Sequence, residues 1–134
     1  SKDVLPFSAL MIIIMSALTV FIFKIFLLSG SLEKARAGAF AVMAITQLFN
    51  VLNMRSLSMS IFKIGFFSNK FIVWELTASI LLILMALFAG GIAERFGFEI
   101  LSFSELLMII LLSSSVLWVG ELYKYWWRRK YEKS

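Results

Sequence analysis

A chain of 134 residues that is 61% hydrophobic, 16% aromatic and only 16% charged, with mean hydropathy +0.94, lies outside the composition range of water-soluble domains. Cysteine and histidine are both absent, which excludes disulfides, thiol nucleophiles, imidazole bases and soft-metal centres, so any bound ion must be held by oxygen. The formal net charge of +5 calls for no nucleic acid, because the basic residues fall where membrane topology places them.

A helix needs about 20 mostly apolar residues to cross a bilayer, and four segments come close to that length. The first, Val4–Leu28, contains "ALMIIIMSALTVFIF", a continuous apolar run rather than the alternation of a barrel strand. It is longer than the core of a signal peptide, has no basic flank beyond Lys2 and precedes no small-residue cleavage site, so it reads as a span. Pro6 sits at its entry, where a helix tolerates proline. The second span, Ala37–Asn53, opens on small residues ("ARAGAFAVMA") that let a neighbouring backbone approach. The connection Arg55–Lys70 carries "IFKIGFF", too short to span and flanked by basic residues, hence an expected amphipathic element in the interface. Phe71–Ala93 and Phe103–Tyr123 complete the set. The predicted fold class is an all-α membrane protein, four transmembrane helices in one bundle, with residues 1–134 forming a single transmembrane domain. The chain opens on Ser1 rather than Met, and we expect it to be a segment of a longer polypeptide.

Orientation follows from Lys and Arg. One side holds Lys2, Arg55, Lys63, Lys70, Lys124, Arg128, Arg129, Lys130 and Lys133, against Lys34, Arg36 and Arg95 on the other. Both termini are therefore predicted to face the cytoplasm. The terminal "KYWWRRKYEK" reads as an aromatic belt and basic collar at anionic headgroups, with the lipid bilayer as partner.

Polar residues within spans must be satisfied inside the bundle or lie near an end. Lys24, Glu75, Glu105 and Glu121 fall close to the proposed ends, and Ser113, Ser114 and Ser115 can bond back to the preceding turn. The second span differs: Thr46, Gln47, Asn50 and Asn53 in "TQLFNVLN" share one stripe at helical spacing. Such amides serve either to hold helices together or to offer carbonyl oxygens to a hard cation.

The string "KARAGAFAVMAITQLFNVLNMRSLSMSIFKIGFFSNK", residues 34–70, resembles the eighth membrane helix and following cytoplasmic loop of P-type cation-transporting ATPases of the calcium-pump type. The matching pieces are "KARAGAF", "QLFNVLNMRS", "SIFKIGFFSNK" and the late "ELYKYWWRRK", and the layout is similar to that family's helices seven to ten. The resemblance implies that Gln47 holds a cation-ligand position, with Asn50 beside it and Thr46 and Asn53 as further members of the stripe. It implies calcium as the transported ion, with one ion per cycle, because an amide at Gln47 in place of a carboxylate removes a negative charge from the site. Asn50 in place of the aspartate of sodium-pump relatives argues against sodium. It also implies ATP and Mg²⁺ for the complete pump, and the remaining membrane helices and cytoplasmic domains of the same pump as partners. The expected location is the plasma membrane.

No catalytic residue and no cofactor is assigned to this chain. It has no "DKTG" string and its single aspartate is Asp3, so the expected role is a membrane support domain that is not catalytic alone. The alternative is a stand-alone four-helix assembly subunit or small transporter. The transporter version is weakened because no acid sits at mid-membrane depth in any predicted span.

Overall fold

The computed structural model describes residues 4–53 and 70–131; the expected interfacial element "IFKIGFF" lies outside them. The described residues form, in order, the helices α1 Val4–Ser29, α2 Leu32–Asn53, α3 Lys70–Phe88, α4 Gly90–Arg95, α5 Phe103–Ser113 and α6 Ser115–Tyr131. No strand occurs among the described residues. Helices α1 and α2, and the rod running through α5 and α6, are long and apolar enough to cross a membrane, whereas the apolar part of α3, Val73–Phe88, is shorter. Their outward surfaces are apolar: Ile12, Ile13, Val20, Leu82 and Leu111 are all exposed. A fold that hides its backbone polarity in helices and shows hydrocarbon side chains outward suits lipid and not water. The protein is an integral membrane protein.

Several boundaries differ from the sequence reading for local reasons. Helix α2 starts at Leu32 rather than Ala37 because the Ser31 hydroxyl accepts the Lys34 N–H at 3.1 Å, capping a polar first turn ahead of the apolar stretch. The third predicted span divides at Ala89, whose extended backbone precedes Gly90 and Gly91 and starts α4. Helix α4 then ends in a Schellman turn: Gly97 has φ +70°, its N–H reaches the Glu94 carbonyl at 3.0 Å, and the Phe98 N–H reaches that of Ala93 at 2.9 Å. The helical rod over the fourth predicted span extends to Tyr131 with a tightened turn at Ser114. There the Leu117 and Trp118 N–H groups both meet the Ser114 carbonyl, and the Ser114 hydroxyl donates to Leu111 at 2.6 Å. Ser114 thus bonds back as its residue type suggests, but the buried Ser113 hydroxyl has no hydrogen-bond partner.

Helix α2 is the hub, meeting α1, α3, α5 and α6. Its buried face is built from Ala35, Ala37, Gly38 and Ala41, small enough for Ile22 and Phe26 of α1 to lie against its backbone. At one end, Glu105 forms a capping box with Ser102 and an ion pair with Lys34, tying α5 to α2. At the other end, Phe7, Met11 and Val116 form a second core cluster joining α1 to α6. The pairings Lys34 with Glu105 and Asn53 with Val116 show that α2 runs parallel to α5 and α6, and antiparallel to α1.

Candidate functional site

Helix α2 sets the site because it carries the polar stripe and is held from three sides. At about 100° per residue, Gln47 and Asn53 stand about 120° apart around the helix, with Asn50 midway and Thr46 within about 20° of Asn53. The structure divides the stripe by position along the helix as well as around it. Thr46, Gln47 and Asn50 line a groove of about 610 Å³ between α1 and α2, faced across it by Ser8, Ser16 and Thr19. Asn53 does not line that groove. It is fully buried one turn beyond Asn50, at the end of the helix, where Nδ2 donates to the Val116 carbonyl of α6 at 2.9 Å and lies 3.7 Å from the sulfur of Met11.

The groove offers acceptors. The buried Thr46 hydroxyl donates to the Val42 carbonyl at 2.6 Å, and the Thr19 hydroxyl donates to Met15 at 2.7 Å. With their protons committed to their own helices, these oxygens present only lone pairs. The Oδ1 of Asn50 is buried and accepts no hydrogen bond. Gln47 is exposed at the rim. Among the described residues no carboxylate lines the groove, and Glu33 is the only acid anywhere in residues 4–53. The site is thus a set of neutral oxygens, the donor type that hard cations accept, with no charge of its own.

Gln47 also lines a second groove, of about 410 Å³ between α2 and α3, together with Glu75 and Ser79. Glu75 is the functional candidate that sequence reasoning set aside as a near-end residue. Its meeting with Gln47 is tertiary, and the only local signal was the spacing of Glu75 and Ser79 onto one helical face. Among the described residues no three of His, Cys, Asp and Glu converge as a metal-holding group. A further cavity of about 280 Å³, bordered by Leu48, Leu76 and Leu106, is apolar throughout and offers a cation nothing.

Two other expectations change. Glu105 does not merely reach for water near an end, since its carboxylate takes the Ser102 N–H at 2.8 Å and pairs with Lys34. Lys124 leaves the basic collar: it is fully buried, turned inward, with its nitrogen 3.8 Å from Glu121. Tyr125 and Trp126, by contrast, are exposed, with Arg129 and Lys130 stacked over their rings.

The family "Cation transporting ATPase, C-terminus" matches residues 1–126. The chain belongs to this family. Among curated relatives of this ATPase C-terminal domain, "Calcium-transporting ATPase 1" of Saccharomyces cerevisiae is 40% identical over 86 residues, 64% of this chain and 9% of that protein. The same-named protein of Schizosaccharomyces pombe is 28% identical over 118 residues, 87% of this chain and 13% of that protein. "Calcium-transporting ATPase type 2C member 2" of Mus musculus is 38% identical over 88 residues, 66% of this chain and 9% of that protein. The chain therefore spans only 9% to 13% of the length of these relatives.

Proposed function

We propose that this chain forms one wall of the ion site in an ATP-driven calcium pump, with Gln47 and Asn50 as carbonyl ligands and Thr46 as a neighbouring hydroxyl oxygen. The observation that carries this reading is the meeting of Thr46, Gln47 and Asn50 in one groove, with the Thr46 proton spent on its own helix and the Asn50 oxygen buried without a donor. A calcium ion takes six to eight oxygens. The neutral oxygens of this wall supply only part of such a shell, so carboxylates must come from the remaining membrane helices of the same pump. ATP hydrolysis with its Mg²⁺ belongs to the cytoplasmic domains, and this chain, a single transmembrane domain, stiffens the helices that move. The amide at Gln47, with no charge to contribute, fits one ion per cycle better than two.

The same reading gives four spans, with α3 and α4 together making the third, and both termini in the cytoplasm of a cell whose plasma membrane houses the pump. The distribution of Lys and Arg supports that sidedness.

The test is Gln47→Leu in the intact pump. Similar in bulk but without the oxygen, leucine should raise the calcium concentration needed for half-maximal ATPase activity. Gln47→Glu should lower it, because a carboxylate holds a divalent ion more strongly than an amide does. If Gln47→Leu alters only thermal stability, Gln47 holds helices together and the reading fails.

A further inference from the structure

Among the described residues, Asn53 is the one member of the four-residue polar stripe on α2 that is hydrogen-bonded to another helix. Its Nδ2 donates to the Val116 carbonyl, and Val116 lies in the turn of α6 that follows the tightened stretch at Ser114. One turn further along α6, Gly120 faces the same amide so closely that a Cβ there would collide with all three of its terminal atoms. A hydrogen bond and a steric stop, from two neighbouring turns of one helix, thus act on a single side chain. Together they fix both the separation of α2 and α6 and the rotation of α2 about its axis. Rotation matters because Asn53 and Gln47 stand about 120° apart on the same rigid helix, two turns of it at most. Whatever turns Asn53 turns Gln47 and Asn50 with it.

We infer that the Asn53–Gly120 contact is a rotational lock which positions Gln47 and Asn50 in the ion groove, so that Asn53 acts as a positioning residue and not as a ligand. The inference rests on the reading of that groove as a wall of the calcium site. It follows from where the amide points: Asn53 is fully buried against α1 and α6, and is absent from the groove that Thr46, Gln47 and Asn50 share. Second-sphere partners that orient a metal ligand commonly alter metal affinity by roughly 10- to 100-fold when removed. A lock of this kind belongs at the lower end of that range, because α1 and α5 also hold α2.

The experiment measures, in the intact pump, the calcium concentration for half-maximal ATPase activity, the maximal rate and the thermal midpoint of Gly120→Ala, Asn53→Ala, the double variant and Asn53→Asp, with Gln47→Leu alongside. Gly120→Ala adds no ligand and removes none. The lock predicts that it raises the half-maximal calcium concentration by roughly tenfold. In the Asn53→Ala background the same change should do little, because the amide it collides with is gone. Should Gly120→Ala fail to fold, Asn53→Ala carries the test: it should weaken calcium and keep the maximal rate. Asn53→Asp separates positioning from ligation. A ligand aspartate would tighten a divalent ion, whereas a positioning aspartate loses the N–H to Val116 and leaves affinity the same or weaker. The lock is overturned if Gly120→Ala lowers the thermal midpoint without moving calcium affinity, or if Asn53→Asp tightens calcium. An unmoved Gln47→Leu, in contrast, would remove the groove reading beneath it, a result distinct from failure of the lock alone.

Discussion

Helices α1 and α2 pack tightly at Gly38, which has an alanine on either side and leaves no room for a side chain of its own. A Cβ built there would lie 2.5 Å and 2.8 Å from two carbons of the Phe26 ring and 2.9 Å from an Ile22 methyl. Carbon atoms rest about 3.5–4.0 Å apart, so Gly38→Ala requires the ring or the whole helix to give by about 1 Å. Phe26 is 3% exposed and Ile22 is fully buried, which leaves the ring nowhere to turn. Overpacking of this kind costs about 1–3 kcal/mol, partly offset by the roughly 0.5–1 kcal/mol that alanine gains over glycine inside a helix. The expected net effect is a loss of about 0–2.5 kcal/mol, measured as reversible unfolding of the detergent-solubilised protein. Gly91 provides the control, because a Cβ there meets nothing within 4 Å and Gly91→Ala should be neutral or stabilising. Phe26→Leu should relieve the Gly38→Ala penalty, giving a favourable coupling in the double variant. If Gly38→Ala stabilises as much as Gly91→Ala does, close backbone packing is not what holds α1 to α2.

The apolar runs were legible because lipid imposes one requirement, internal satisfaction of backbone hydrogen bonds, and only long helices or closed barrels meet it. Ends were less legible, because caps override hydropathy: Ser31 extends α2 by a polar turn, and Ala89 followed by two glycines divides the third run. The stripe on α2 was also legible, since helical spacing alone puts Thr46, Gln47, Asn50 and Asn53 near one another. Its division was not. Whether an edge residue of a stripe faces a groove or a neighbouring helix depends on where α6 sits, and that depends on contacts more than 60 residues apart in sequence, such as Asn53 with Val116. Glu75 was hidden for the same reason, and Lys124 because its type predicts a headgroup position that its buried place against the bundle denies.

The remaining predictions concern single side chains with separable duties. Glu105→Gln keeps an oxygen for the Ser102 N–H and loses only the charge paired with Lys34, so unfolding should shift by about 1 kcal/mol or less and become less dependent on salt. Glu105→Ala also loses the bond to the Ser102 N–H, while the Ser102 hydroxyl still caps the helix, and should cost about 0.5–1.5 kcal/mol more in the same measurement. Trp126→Ala, which removes the ring under Lys130 at 4.9 Å, should lower membrane insertion and thermal stability while leaving the calcium requirement of the intact pump unchanged. Asn50 makes the sharpest case, because its two assays should move in opposite directions. Its Oδ1 is buried without a donor, and a buried unsatisfied polar group costs about 1–3 kcal/mol, so Asn50→Leu should stabilise the calcium-free protein by a sizeable part of that. Calcium binds the folded state only, so it raises the melting temperature of the parent by mass action, and a variant that has lost a ligand gains less from the same calcium. Asn50→Leu should therefore melt higher than the parent in chelator, show a smaller calcium-induced rise, and need more calcium for half-maximal ATPase activity. A variant that melts lower in chelator would mean that the amide oxygen is satisfied within the bundle, and its claim as an ion ligand would fall with that result.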